Sequence, residues 1–185
     1  MSDFQNEPIA LSQLPDFEEV NLEPVSKKYL KVLIFNAFIF SMVLIVSYFV
    51  SLFFFYELLG NVMIYIGIII LSLIILNIIW TVFEFKNRKF ALREKDLIYK
   101  RGLLRHTTSI VPFNRIQHVT VFEGWYSRKL GLKSVAVYTA GGTWAMMKIA
   151  GLPKETADKI NQLILKKIDE EERVNLENIT EPEHD

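Results

Sequence analysis

Two uncharged runs, separated only by Glu57-Leu58-Leu59-Gly60-Asn61, leave the chain little freedom in how it can fold. Val32 to Tyr56 is 25 residues without a charge, and Leu58 to Phe83 is another 26. The hydrocarbon core of a bilayer is roughly 30 Å thick and a helix rises about 1.5 Å per residue, so about 20 residues cross it. Each run is long enough to span with some tilt, and neither fits inside a domain this small. A backbone in lipid must satisfy its own hydrogen bonds, so both runs are expected as helices. Residues 27–86 therefore read as a transmembrane helical hairpin with spans at about 32–56 and 58–83.

A formal net charge of zero hides a strong segregation. Residues 1–26 hold six acids and no Lys or Arg, and residues 169–185 hold eight acids against Arg173 alone. That leaves 20 basic and 7 acidic residues between 27 and 168, a net of +13. A basic body beside a bilayer points to anionic headgroups, at about 1 kcal/mol per Lys or Arg near the surface. Nucleic acid is not expected as a partner of a tethered domain. The first residues are acidic and the apolar run is long, so the start is not expected to act as a secretory signal. With Pro8, Pro15 and Pro24, residues 1–26 read as a flexible acidic arm. The acid-rich residues 169–185 read as a disordered tail.

Lys27, Lys28 and Lys31 stand before the first run, and Lys86, Arg88 and Lys89 follow the second. The intervening turn offers only Glu57. The positive-inside rule then places both termini in the cytoplasm of a multi-pass protein of the cell membrane. Tyr56 suits the outer interface, and Trp80 with Phe83 suits the inner one. Folding the hairpin about Leu59-Gly60 brings Ser41 level with Asn77, and these two are expected to meet across the helix seam.

From Arg88 onward the pattern changes to short alternating strands broken by turn signals. Strands are expected over Arg88–Leu92, Leu97–Arg101, Arg105–Val111, Ile116–Phe122, Lys133–Thr139 and Thr143–Ile149. Both faces of Ile116–Phe122 are partly apolar, which predicts a central strand with Ile116, His118, Thr120 and Phe122 on one face. Gly124–Gly131 reads as one helical turn in which Trp125, Tyr126 and Leu130 pack. Ala140-Gly141-Gly142 reads as a turn. Gly151-Leu152-Pro153 is expected to open a last helix with Ala157, Ile160, Leu163, Ile164 and Ile168 along one face, Glu155 supporting Lys159, and an end near Ile168. Strands followed by one amphipathic helix make an α+β unit over 87–168, large enough for a modest core.

Several segments in order carry a resemblance: Leu97-Ile98-Tyr99-Lys100-Arg101-Gly102, Val111-Pro112, Arg115-Ile116-Gln117-His118-Val119, Arg128-Lys129-Leu130-Gly131-Leu132, Tyr138-Thr139-Ala140-Gly141-Gly142 and Ile149-Ala150-Gly151-Leu152-Pro153. Over about 27–168 the chain resembles the YdbS-like bacterial pleckstrin-homology (PH) proteins. The resemblance implies a PH-like fold: a bent antiparallel sheet or barrel capped by a C-terminal helix. It implies no enzymatic chemistry.

The residues themselves offer little for catalysis. No GxGxxG, P-loop or nucleophile elbow is present, and the chain has no cysteine. His106 and His118 fall on neighbouring strands without a third ligand, a poor zinc site. No catalytic residue, metal or cofactor is therefore expected. The basic inventory is Lys100, Arg101, Arg105, Arg115, Arg128, Lys129, Lys133 and Lys148. With Gln117, these either converge on an anion- or partner-binding mouth or are scattered as solubilising charge. The main functional expectation is a non-enzymatic module binding a membrane or cytoplasmic partner protein, or assembling a membrane complex; the alternative is recognition of anionic lipid headgroups. A homo-oligomer is compatible with either.

Overall fold

The computed structural model describes residues 20–139 and 145–180. Most of the N-terminal arm, the turn at Ala140-Gly141-Gly142, Thr143 and the last five residues lie outside them. Two helices, α1 (Tyr29–Leu59) and α2 (Val62–Lys86), form a hairpin. Both are long and apolar enough to cross a membrane. The break falls at Gly60, whose φ of 43° ends α1, and its N–H donates to Tyr56 O at 2.8 Å. Leu58 thus closes the first helix and does not open the second.

The helices meet where Tyr48 Oη donates to Met63 O at 3.1 Å. Gly67 makes room for that ring, since a Cβ there would lie 2.8 Å from Tyr48 Oη. The expected contact of Ser41 with Asn77 is not formed. Ser41 Oγ donates to Ala37 O in its own helix at 2.8 Å, and Asn77 Oδ1 has no partner among the described residues. A serine in an apolar helix always has the carbonyl four residues back within reach, so it needs no partner across the seam.

The domain begins earlier than its sequence pattern. Glu23–Pro24 forms a two-residue strand, β1, antiparallel to β2 (Lys89–Leu92), and Val25 beside it is buried in the core. Proline fits here because an edge strand leaves one side without ladder donors. β2 continues into β3 (Asp96–Arg101) and β4 (Thr107–Pro112), giving a sheet of order β1-β2-β3-β4. A 3₁₀ turn at Phe113–Arg115 leads to β5 (Ile116–Phe122). After α3 (Trp125–Lys129), β5 pairs with β6 (Leu132–Thr139), which pairs with β7 (Met147–Pro153). All pairings are antiparallel.

The expected central strand is therefore an edge strand, and β6 is central, with Val135, Ala136 and Val137 fully buried. The cause of the misreading is local. The register shifts between Ile116 and His118, so Gln117 bulges out and the alternation changes phase. Ile116 then shares the core face with Val119 and Val121, whereas His118 stacks on Tyr138 outside, at 4.3 Å between centroids.

β7 also runs on to Pro153, through the residues expected to open the helix, and α4 spans Lys154–Thr180. It exceeds its expected end because acids do not stop a helix: Lys166 and Lys167 pair with Glu170 at 3.7 and 3.1 Å. Ala157, Ile160 and Ile164 are buried and Leu163 and Ile168 pack beside them, so the expected stripe covers the core. Each fully buried Leu or Ile contributes about 1.5–3 kcal/mol.

Candidate functional site

The basic residues do not converge on one mouth. Arg101 ends β3 and Arg105 lies in the turn after it, whereas Arg115 and Gln117 follow β4 at the opposite end of the ladder. Six residues of strand put about 20 Å between the two groups. Lys100 lies opposite Lys89 across β2–β3, two like charges on the face away from the core. Lys133 is committed to Asp158 at 2.8 Å. His106 Nδ1 lies 3.1 Å from Gly102 O in the turn before β4 of the first sheet, and His118 lies on β5 of the second, stacked on Tyr138. Among the described residues no three His, Asp or Glu side chains group as metal ligands.

Two of these cations lie over exposed rings, one on α3 and one at the end of β5 that leads to it. Lys129 Nζ lies 4.4 Å from the centroid of the Trp125 ring, and Lys148 Nζ lies 5.1 Å from that of Phe122. Arg128 is held by Glu123 at 3.4 Å. Tyr126 stacks on Phe35 of α1 at 4.4 Å, and Trp125 lies 6.1 Å from the same ring. Trp125 was expected to pack, but 66% of its surface is exposed. Trp125 with Lys129 four residues on, one face of a helical turn, is the local signal in the sequence for this pairing.

The hairpin is joined to the domain by a packed junction. Ser26 N donates to Gly151 O at 3.0 Å, and the Tyr29 ring lies against Gly151. Gly151 has a φ of 81° and a Cβ there would collide with that ring, so glycine is needed twice over. Arg88, read from sequence as an interface cation, turns into this junction. It pairs with Glu84 at 2.7 Å and lies over the Tyr29 ring at 5.7 Å. Burial opposes its charge, but Tyr99, Tyr29 and Glu84 outweigh that and hold its pKa above the ordinary value. The Tyr99 hydroxyl is raised by the same burial, with Arg88 opposing. Neither Arg88 Nε nor Tyr99 Oη has a hydrogen-bond partner of ordinary geometry among the described residues. Lys86 lies over Phe83 at 5.5 Å.

A second feature is a groove of about 300 Å³ between the first sheet and α4. Phe90 and Ile160 line it from the core, with Leu92, Arg93, Thr156 and Lys159 around them, and Val20, Asn21 and Glu23 on the far side. β1 pairs with Lys89 and Phe90, and among the described residues no strand pairs with Ala91 and Leu92 on that edge. Lys159 lines this groove, and among the described residues no ion pair joins it to Glu155.

This architecture agrees with a comparison against known families. The model of the bacterial PH domain matches residues 30–168, which takes in both long helices, strands β2 to β7 and the first half of α4. Comparison with curated proteins gives no match, and neither does comparison with solved structures. The match covers well over half of the chain, with the α+β order of elements just described, and the chain belongs to the bacterial PH domain family.

Proposed function

We propose that the protein is a membrane-anchored, non-enzymatic PH-like module that binds a partner protein at the cytoplasmic face of the membrane. The observation that carries this reading is the groove between β2 and α4. Its apolar floor at Phe90 and Ile160 has room for one or two side chains, and Leu92, 40% exposed, stands at its rim to receive an apolar side chain of the partner. Lys159 beside it suits an acidic residue of that partner. The hairpin supplies the anchor, and lysines at its two ends against Glu57 at its turn support a cytoplasmic domain.

Photo-crosslinkers placed singly at Leu92 and Thr156 of the full-length protein in native membranes test this. The same partner adduct should form at both positions and not at Thr108, on the outer face of β4. Equal adducts at Thr108, or none in the groove, would contradict the reading. A second role, contact with anionic lipid headgroups, is supported by a different surface, the cations laid over exposed aromatic rings around α3.

A further inference from the structure

The position of α3 along α1 fixes its height. Lys31 is the last charge before the first apolar run, and Phe35 lies one turn beyond it on the same face of the helix. At about 1.5 Å per residue that is roughly 6 Å past the final lysine, the depth at which headgroups give way to acyl chains. Tyr126 stacks on Phe35, and the Ser26–Gly151 and Tyr29–Gly151 contacts fasten the base of α1 to β7. A domain attached at these points cannot stand off from the bilayer as it would on a loose linker.

Beside Phe35, at 6.1 Å, the domain presents Trp125, 66% exposed, against the ammonium group of Lys129, and three residues earlier in the chain Phe122, 42% exposed, against that of Lys148. Arg128 is engaged by Glu123, whereas Lys129 and Lys148 have no ion pair among the described residues. An amphipathic indole with an adjoining cation suits the interface, the ring among the upper acyl carbons and the charge among phosphates. Phe122 and Lys148 repeat the arrangement on β5 and β7.

We propose that α3 and the adjoining end of the second sheet form a foot that rests in the bilayer surface. Trp125 and Phe122 enter the headgroup–acyl boundary, and Lys129 and Lys148, with Lys31 on the neighbouring helix, gather anionic phospholipid. This rests on the hairpin crossing the membrane, and it gives the lipid-contact role a location. It also separates two surfaces: the foot takes lipid, and the groove between β2 and α4 is left for protein.

The test uses the full chain in nanodiscs with Trp125 as the sole tryptophan, Trp80 and Trp144 being replaced by Phe. Lipids brominated near the headgroup end of the acyl chain should quench Trp125, and aqueous iodide should reach it poorly. At equal low mole fraction, brominated phosphatidylglycerol should quench at least about twofold more than brominated phosphatidylcholine, because each lysine enriches anionic lipid locally. Lys129→Gln with Lys148→Gln should abolish that preference. Both side chains are exposed, so the fold is not at stake. A companion protein with Trp80 alone reports on α2. Quenching of Trp80 but not Trp125 overturns the foot and leaves the hairpin standing; quenching of neither overturns both. Equal quenching of Trp125 by the two lipids overturns the anionic contact.

Discussion

Ile164 in α4 is fully buried, whereas Ile69 in α2 leaves 58% of its surface exposed. Around Ile164, every aliphatic side chain along the inner stripe of α4 finds a strand to cover it. Along α1 and α2 most of them face outward, and only a narrow seam, with Ala37, Ser41 and Met63 buried and Tyr48 Oη donating to Met63 O, is covered. Both regions draw on the same residue types. The domain removes its apolar surface from water by folding onto itself, whereas the hairpin leaves most of its apolar surface uncovered, as suits helices long and apolar enough to cross a membrane.

The same substitution should therefore read differently in the two regions. Ile164→Ala should lower the unfolding free energy of the domain by about 2–5 kcal/mol, since a full cavity is left. Ile69→Ala should change it by less than about 0.5 kcal/mol in nanodiscs, because lipid fills the space. Denaturant titration followed by tyrosine and tryptophan fluorescence measures both, and equal losses would break the contrast. The junction should fall between these extremes. Gly151→Ala forces a side chain into a left-handed conformation against Tyr29, and should cost about 1–3 kcal/mol. A loss confined to the domain, with the hairpin unaffected by protease, would show that the two regions unfold separately.

A small, pH-dependent effect is expected at Tyr99. Burial raises its folded pKa, so the unfolded chain ionises first, near pH 10. Stability that is fully present below that pH is lost as pH rises through the folded value. Tyr99→Phe should make this alkaline loss shallower, and at neutral pH should change stability by less than about 1 kcal/mol, since among the described residues the hydroxyl has no hydrogen bond of ordinary geometry to lose. Thermal melts from pH 7 to 11 check the sign.

How much of this was legible depended on the range of the interaction. The two long helices, the strand positions and the apolar stripe of α4 follow from periodicity within one segment, and the structure has them within a few residues. The order of strands in the second sheet was not legible, because the bulge at Gln117 changes the phase of β5 and gives both its faces apolar members. The acid run after Ile168 breaks the apolar periodicity without stopping α4, because Lys166 and Lys167 pair with Glu170. Tyr29 and Gly151 are far apart in the chain, and nothing local marks them as a pair. The candidate site suffered most. Cations can be counted in sequence, but which are paired, as Lys133 and Arg88 are, and which lie over exposed rings, is decided by packing.

The central claim is that the two long helices cross the membrane and hold the domain on its cytoplasmic side. Because the chain has no cysteine, single cysteines at Asn61, between α1 and α2, and at Lys95, in the turn before β3, can be probed with a membrane-impermeant maleimide. In intact cells Asn61→Cys should be labelled and Lys95→Cys should not, with Lys95→Cys becoming reactive on permeabilisation. Labelling of Lys95→Cys in intact cells, or protection of Asn61→Cys until lysis, would contradict the account.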